Sequence, residues 1–385
     1  MMNRREFLAT AGAATVAVAM GPQPAWADAA RYANLLVLVE LKGGNDGLNT
    51  VIPYADPAYY ALRPRLAIPR DQVLPLDAAT GLHPSLQPLL ALWQARELAI
   101  VQSVGYPEAN LSHFRSIEIW DTASRSNEYL HDGWLARVFK AVPVPRHYAA
   151  DGVVVGGGEL GPFAGGARAV AIANTEQFLR QARLAQPVGT AGSGALAHIL
   201  RVERETAQAA AGLAGDHAFR TAFPDSAFGR AVRTGAQVIA AQSGVAAVKI
   251  ALGSFDTHRG QLAAHARLLT ELAEGLAALK AALVELRRWD SALVMTYSEF
   301  GRRAAENQSG GTDHGTASTH FALGGRVRGG IYGLPPALTR LDGNGNLPHA
   351  VDFRDLYGTV LAGWWGLAPG AALGAQFHNV GFLRA

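Results

Sequence analysis

The chain has 385 residues, a formal net charge of +3 and no cysteine. So small a charge does not mark a nucleic-acid surface, and no basic run or aromatic stripe offers itself to single strands. Without cysteine there is no disulfide, thiolate metal ligand, iron–sulfur cluster or cysteine nucleophile; packing must stabilise the protein, alone or together with a metal held by other side chains.

The amino end has the order of an export signal. Arg4-Arg5 stands just ahead of Phe7-Leu8, an apolar stretch runs from Ala9 to Met20, and Ala25-Trp26-Ala27 is a small-x-small cleavage site. The arginine pair beside Phe-Leu points to the twin-arginine route, with an ordinary secretory signal as the alternative. The apolar stretch is shorter than the roughly 20 residues of a permanent span. Residues 1–27 are therefore expected to be a twin-arginine signal peptide. Residues 28–385 would then be one periplasmic or secreted domain with no integral membrane segment.

Leu35-Leu36-Val37-Leu38-Val39 reads as a strand buried on both faces, ending in the loop Lys42-Gly43-Gly44-Asn45-Asp46-Gly47. A helix is expected from Pro84 to Glu97, a strand at Leu98–Val101, and a helix from Ser112 to Ala123 capped by Asn110. Val153–Val155 reads as another strand, and Ser193 to Ser243 as Ala-rich and mainly helical, broken near Pro224. Ala246–Leu252 predicts a strand, followed by the loop Gly253–His258 and a helix from Gln261 to Trp289. Leu269, Leu272, Leu276, Leu279, Leu283 and Leu286 step by three and four along that helix and make one apolar face. A strand at Ala292–Tyr297 completes a parallel crossover. Phe321–Leu323 predicts a strand in a Gly-rich stretch, and Phe353 to Trp365 a closing helix. Alternation of this kind predicts a single doubly wound α/β domain, with a mostly parallel sheet and helices on both faces.

In such sheets ligands gather at the carboxyl ends of the strands, and the chemistry-bearing residues fall there. Asp46 follows the first strand. Asp256 and His258 follow the strand ending at Leu252, and Ser298, Glu299 and Arg302 follow the one ending at Tyr297; Asp313-His314 lies in the Gly-rich loop beyond. Mixed carboxylate and imidazole sets suit zinc, with manganese, calcium and magnesium as alternatives. Asp46, Asp256, His258, Glu299, Asp313 and His314 are the candidate ligands. Taken singly, each has a plainer explanation as a turn or surface residue. Ser112, at a helix start where free amides favour an anion, is the candidate nucleophile. Arg115 could fork onto the anion's oxygens, and His113 could donate a proton or bind metal. As an alternative, Ser112 is only a helix cap and His113 packing. Asp342-Gly343-Asn344-Gly345-Asn346 lacks the closing Glu of a calcium loop and reads as a turn.

Several motifs together resemble a bacterial export-pathway family of unknown function, grouped with the alkaline-phosphatase-like superfamily. They are Glu40–Asn49, Ser112-His113-Phe114, Phe255–His258, Ser298–Arg302 and Gly311–Gly315, spread over nearly the whole mature chain. The resemblance implies an alkaline-phosphatase-like fold with two metal ions beside a Ser, Thr or formylglycine nucleophile. Asp46, Asp256, His258 and Asp313-His314 would correspond to metal-binding positions. The sequence departs from the superfamily pattern in the short Asp256-x-His258 spacing and in Glu299-Phe300, where Asp-His is usual; a second metal is thereby in doubt. Ser112 is followed by His-Phe-Arg, unlike the formylglycine motif of sulfatases.

The expectation is an exported, metal-dependent hydrolase of phosphate or sulfate esters, acting on an anionic substrate of polysaccharide or other origin. The alternatives are a non-catalytic exported module that binds a partner protein or polysaccharide, and a metal enzyme of redox chemistry.

Overall fold

The computed structural model describes residues 31–172, 217–241 and 244–384. The expected signal peptide and residues 193–216 of the Ala-rich stretch lie outside the described residues. Among the described residues no helix is long and apolar enough to cross a membrane.

Strand β1 (Leu35–Leu41) is buried at every position, as its unbroken apolar run requires. The other strands of its sheet are β2 (Leu98–Gly105), β3 (Ala150–Val155), β4 (Ala169–Ile172), β5 (Val245–Leu252), β6 (Ala292–Tyr297), β7 (Ser318–Leu323), β8 (Gly330–Tyr332) and β9 (Val351–Asp352). Their order is β8-β2-β7-β6-β1-β5-β3-β4, with β9 also on β2. Every pairing is parallel except those of β7 with β2 and β6. The sheet is thus mixed and mostly parallel, as expected; β5 and β6 flank β1 and are joined by the long crossover helix.

The period of two in β1 divides the core. Leu35, Val37, Val39 and Leu41 face one apolar cluster, and Leu36 and Leu38 face the other. On the first side lie α4 (Ala227–Ala240) and α5 (Gln261–Glu285). Leu269, Leu272, Leu276, Leu279 and Leu283 of α5 are buried there, so the stripe read from sequence is the packed face. On the second side lie α2 (His113–Thr122), α3 (Trp134–Ala141) and α6 (Phe353–Thr359), whose Trp120, Trp134 and Tyr357 rings stack together with Phe353. Helices therefore cover both faces.

Local boundaries differ where caps decide them. Ser112, not Asn110, occupies the N-cap position of α2; Asn110 Oδ1 instead accepts from Ser112 N at 2.9 Å. Pro84–Leu89 is a 3₁₀ turn before the five-residue helix α1 (Leu90–Gln94), because Pro88 has no N–H to continue an α-helical ladder. Helix α5 stops at Glu285 and a separate turn follows at Trp289–Ser291. The last helix passes from α into a π turn at Val360–Trp364. Asp342 accepts from Asn344 N and Asn346 N, a turn as read.

Candidate metal centre

The loops leaving β1, β5 and β6 are laced together. Lys42 N donates to Leu252 O, Phe255 N to Lys42 O, and Asn45 N to Ser298 Oγ. Gly43 and Gly44 adopt φ of +117° and +80°. A Cβ on Gly43 would lie 2.5 Å from Asp256 N, so the β1 loop can pass this close to the β5 loop only as glycine.

At this edge three imidazoles surround one carboxylate. Asp256 Oδ1 lies 3.0 Å from His258 Nε2 and 3.1 Å from His314 Nε2, while its Oδ2 lies 3.4 Å from His113 Nε2. The Nε2 atoms of His258 and His314 are 3.0 Å apart. Each ring is held from behind by its other nitrogen. His314 Nδ1 meets the Leu111 carbonyl at 2.8 Å, His113 Nδ1 meets Glu299 Oε1 at 2.8 Å, and His258 Nδ1 meets Asp313 Oδ1 at 3.4 Å.

These contacts fix the protons. A carbonyl oxygen can only accept, so His314 carries its proton on Nδ1 and presents a lone pair at Nε2. Glu299 and Asp313 take the Nδ1 protons of His113 and His258 in the same way. With the rings neutral, three inward lone pairs face an anionic carboxylate, an arrangement of acceptors that a cation completes. With metal–nitrogen bonds of about 2.0–2.1 Å, donors this close can share one ion. The residues therefore fit a single divalent metal. The ligand atoms of His113, Asp256 and His314 all lie within 4.8 Å of one another, and His258 Nε2 lies 3.0 Å from both Asp256 Oδ1 and His314 Nε2.

Arg302 keeps the carboxylate charged. Its buried guanidinium donates to Asp256 Oδ1 at 2.6 Å and to the carbonyls of Gly43, Gly44, Phe255 and Thr312. Burial alone would raise the Asp256 pKa, but the Arg302 hydrogen bond and charge, with His314 and His258, hold it at about 2. Burial lowers the His314 pKa despite its bonds to Leu111 and Asp256, favouring the neutral ring that a metal needs.

Asp256, His258 and His314 are brought together, and His113, expected as a proton donor or ligand, joins them. The other expected ligands stand elsewhere. Both oxygens of fully buried Asp46 are engaged: Oδ1 accepts from Leu48 N and Asn49 N, and Oδ2 from Arg63 Nη1 at 2.6 Å and from Gln261 Nε2. Asp46 is thus a helix cap and ion-pair partner, not a member of the cluster. Glu299 also accepts from Gly43 N, and Asp313 from Asn307 Nδ2, so both support imidazoles from outside. Arg115 does not reach the cluster. It donates to the carbonyls of Arg125, Ser126 and Glu128, and its guanidinium lies 3.9 Å from the Tyr129 ring centroid. Ser112 is exposed beside His113, and its hydroxyl makes no cap bond. Arg63 and the Leu111 carbonyl escaped the sequence reading. A lone arginine carries no motif, and a backbone oxygen carries no sequence signal.

The family model for a protein of unknown function (DUF1501) matches residues 75–371. The chain belongs to this family. The match spans all of the cluster but not the Asp46 loop. No curated protein matches the sequence. Among solved structures, the chain is similar to a phosphonate monoester hydrolase from Silicibacter pomeroyi, at 10% identity and a TM-score of 0.45, covering 89% of this chain and 75% of that one. It is similar to a sulfatase from Pseudoalteromonas sp. at 12% identity and a TM-score of 0.42, covering 94% and 76%. The C-terminal periplasmic domain of EcEptC from Escherichia coli, in complex with Zn, aligns at 10% identity and a TM-score of 0.38, covering 86% and 82%.

Proposed function

We propose that this protein is an exported, metal-dependent hydrolase of phosphate or sulfate esters. The observation that carries the metal is the common orientation of three imidazoles, each with Nδ1 tied outward and Nε2 turned toward Asp256. His113, Asp256, His258 and His314 would hold one ion, zinc by the nitrogen and oxygen donor set. When bound, a divalent ion supplies Lewis acidity toward an ester oxygen.

The chain's own groups supply the rest. Glu299, Asp313 and the Leu111 carbonyl keep the three imidazoles in one tautomer. Arg302 keeps Asp256 ionised. The Ser112 hydroxyl is exposed next to His113 and is the proposed nucleophile. The amides of the first turn of α2, which receive no side-chain cap, are free to donate to an anionic ester oxygen. Export by the twin-arginine route, and a substrate of polysaccharide origin, belong to the same proposal.

The three-imidazole, one-carboxylate set also suits manganese and iron, which favours redox chemistry as the second reading. Metal content by mass spectrometry separates the cases, on protein matured through its own signal and on Asp256→Ala. One equivalent of zinc lost in the variant, with turnover of a phosphate or sulfate ester panel, supports the hydrolase. Iron or manganese without ester turnover moves the assignment to redox chemistry. No metal, with the variant equally well folded, refutes both.

A further inference from the structure

Two buried hydroxyls behind the cluster are unexplained by metal binding or by packing. Ser116 is fully buried on α2, one turn after His113, and its Oγ donates to the backbone carbonyl of Glu299. The same Oγ lies 2.7 Å from the Tyr106 hydroxyl. Tyr106, itself buried, accepts from Asn110 N at 3.1 Å. Proton counting sets the direction. The single Ser116 proton goes to the Glu299 carbonyl, so Ser116 accepts from Tyr106, whose oxygen in turn accepts from Asn110 N–H. The 3.3 Å approach of Tyr106 to the Asn110 carbonyl is then a contact without a proton of its own.

This chain joins the segments that hold two of the imidazoles. Asn110 precedes Leu111, whose carbonyl orients His314. Ser116 shares α2 with His113. Glu299 orients His113 through its side chain and receives Ser116 through its backbone. The segment from Tyr106 to Ser112 has no regular secondary structure to fix it. It also contains Glu108 at φ +54°, a left-handed conformation that is costly for a non-glycine residue and persists only where the surroundings enforce it. Ser126 Oγ helps to enforce it by donating to Glu108 O at 2.6 Å.

We propose that the relay from Asn110 through Tyr106 and Ser116 to Glu299 is the positioning element of the metal centre, setting Leu111 and His113 where the imidazoles converge on Asp256. The inference rests on reading the cluster as a metal centre. Tyr106 and Ser116 touch neither the ion site nor the substrate and act through His314 and His113. Volume alone does not require the phenol: the Tyr106 ring packs edge-on against Phe353 at 5.6 Å, a contact that phenylalanine preserves.

Tyr106→Phe and Ser116→Ala, singly and together, test this. In metal-free protein labelled with ¹⁵N-histidine, Tyr106→Phe should shift the His113 and His314 resonances and leave in place those of His83 and His265, whose bonds run to Ser85 and Asn45. Zinc affinity, measured by chelator competition, should fall about tenfold, the low end of the range for groups that orient metal ligands. Because both hydroxyls belong to one relay, the double variant should lose little more than the worse single one. Unmoved His113 and His314 resonances, unchanged zinc affinity or full additivity would each overturn the proposal. If the wild type takes up no zinc, the metal-centre reading fails by itself, and the imidazole resonances alone then decide the positioning role.

Discussion

The sharpest prediction concerns Asp46, whose place after the first strand suggests a metal ligand and whose contacts make it an ion-pair partner. In Asp46→Asn the side chain keeps its shape and Oδ1 still caps Leu48 N and Asn49 N. The new amide, however, turns N–H groups toward Arg63 Nη1 and Gln261 Nε2, which are donors themselves. Arg63 is fully buried, as is its partner, so its charge is left uncompensated in a dry site. Breaking one side of a buried pair costs about 3–5 kcal/mol. Part of that cost is relieved because Arg63 also donates to Asn49 Oδ1 and to the carbonyls of Arg303 and Ala304, which places the expected loss near the lower value. Urea unfolding followed by tryptophan fluorescence should show about 3 kcal/mol less stability, while metal content stays at the wild-type level. The pH dependence gives a second readout. Burial works against ionisation of Asp46, but the Arg63 charge and hydrogen bond win and hold its pKa below the ordinary carboxylate value. A depressed carboxylate pKa contributes stability above the unfolded-state value of about 3.9 that is lost as pH falls below it. The variant should lack that acid-side loss. Metal lost from Asp46→Asn with stability intact would refute this reasoning and restore Asp46 as a ligand.

Two further outcomes follow from the site and from the core beside it. Glu299→Gln keeps an oxygen for Gly43 N but gives up the anionic partner of His113; zinc affinity should fall about 10–100-fold, as read by chelator competition, with the fold retained. Asp121 on α2, near the ion pair between Lys249 of β5 and Glu40 of β1, has its pKa raised by burial to about 7. The folded state then holds a proton that the unfolded state has released, so stability is greatest below pH 4 for this group and declines as pH rises toward 7. In Asp121→Asn that decline should vanish from the unfolding free energy between pH 4 and 7; an unchanged slope would assign it to another group.

Much of the architecture was legible because it is written in periodicity. The all-apolar run of β1 identified a strand buried on both faces, and the leucine spacing of α5 identified its buried stripe. Asp256, His258 and Glu299, read at the ends of β5 and β6, do lie at the imidazole cluster, whereas Asp46, read at the end of β1, does not join it. Boundaries were less legible where caps compete, as at Asn110 and Ser112, since either side chain can serve and the backbone path chooses.

The sequence by itself determined the residue types available to the site: no thiol, and a supply of imidazoles and carboxylates at strand ends. It could not sort ligands from their supports. An aspartate after a strand looks the same whether it meets a metal or an arginine; Asp46 meets Arg63. A histidine's role depends on which nitrogen keeps its proton, and that is settled by Glu299, 186 positions from His113, and by the Leu111 carbonyl, 203 positions from His314. Only the tertiary structure brings those acceptors into place, because a hydrogen bond depends on distance in space rather than along the chain.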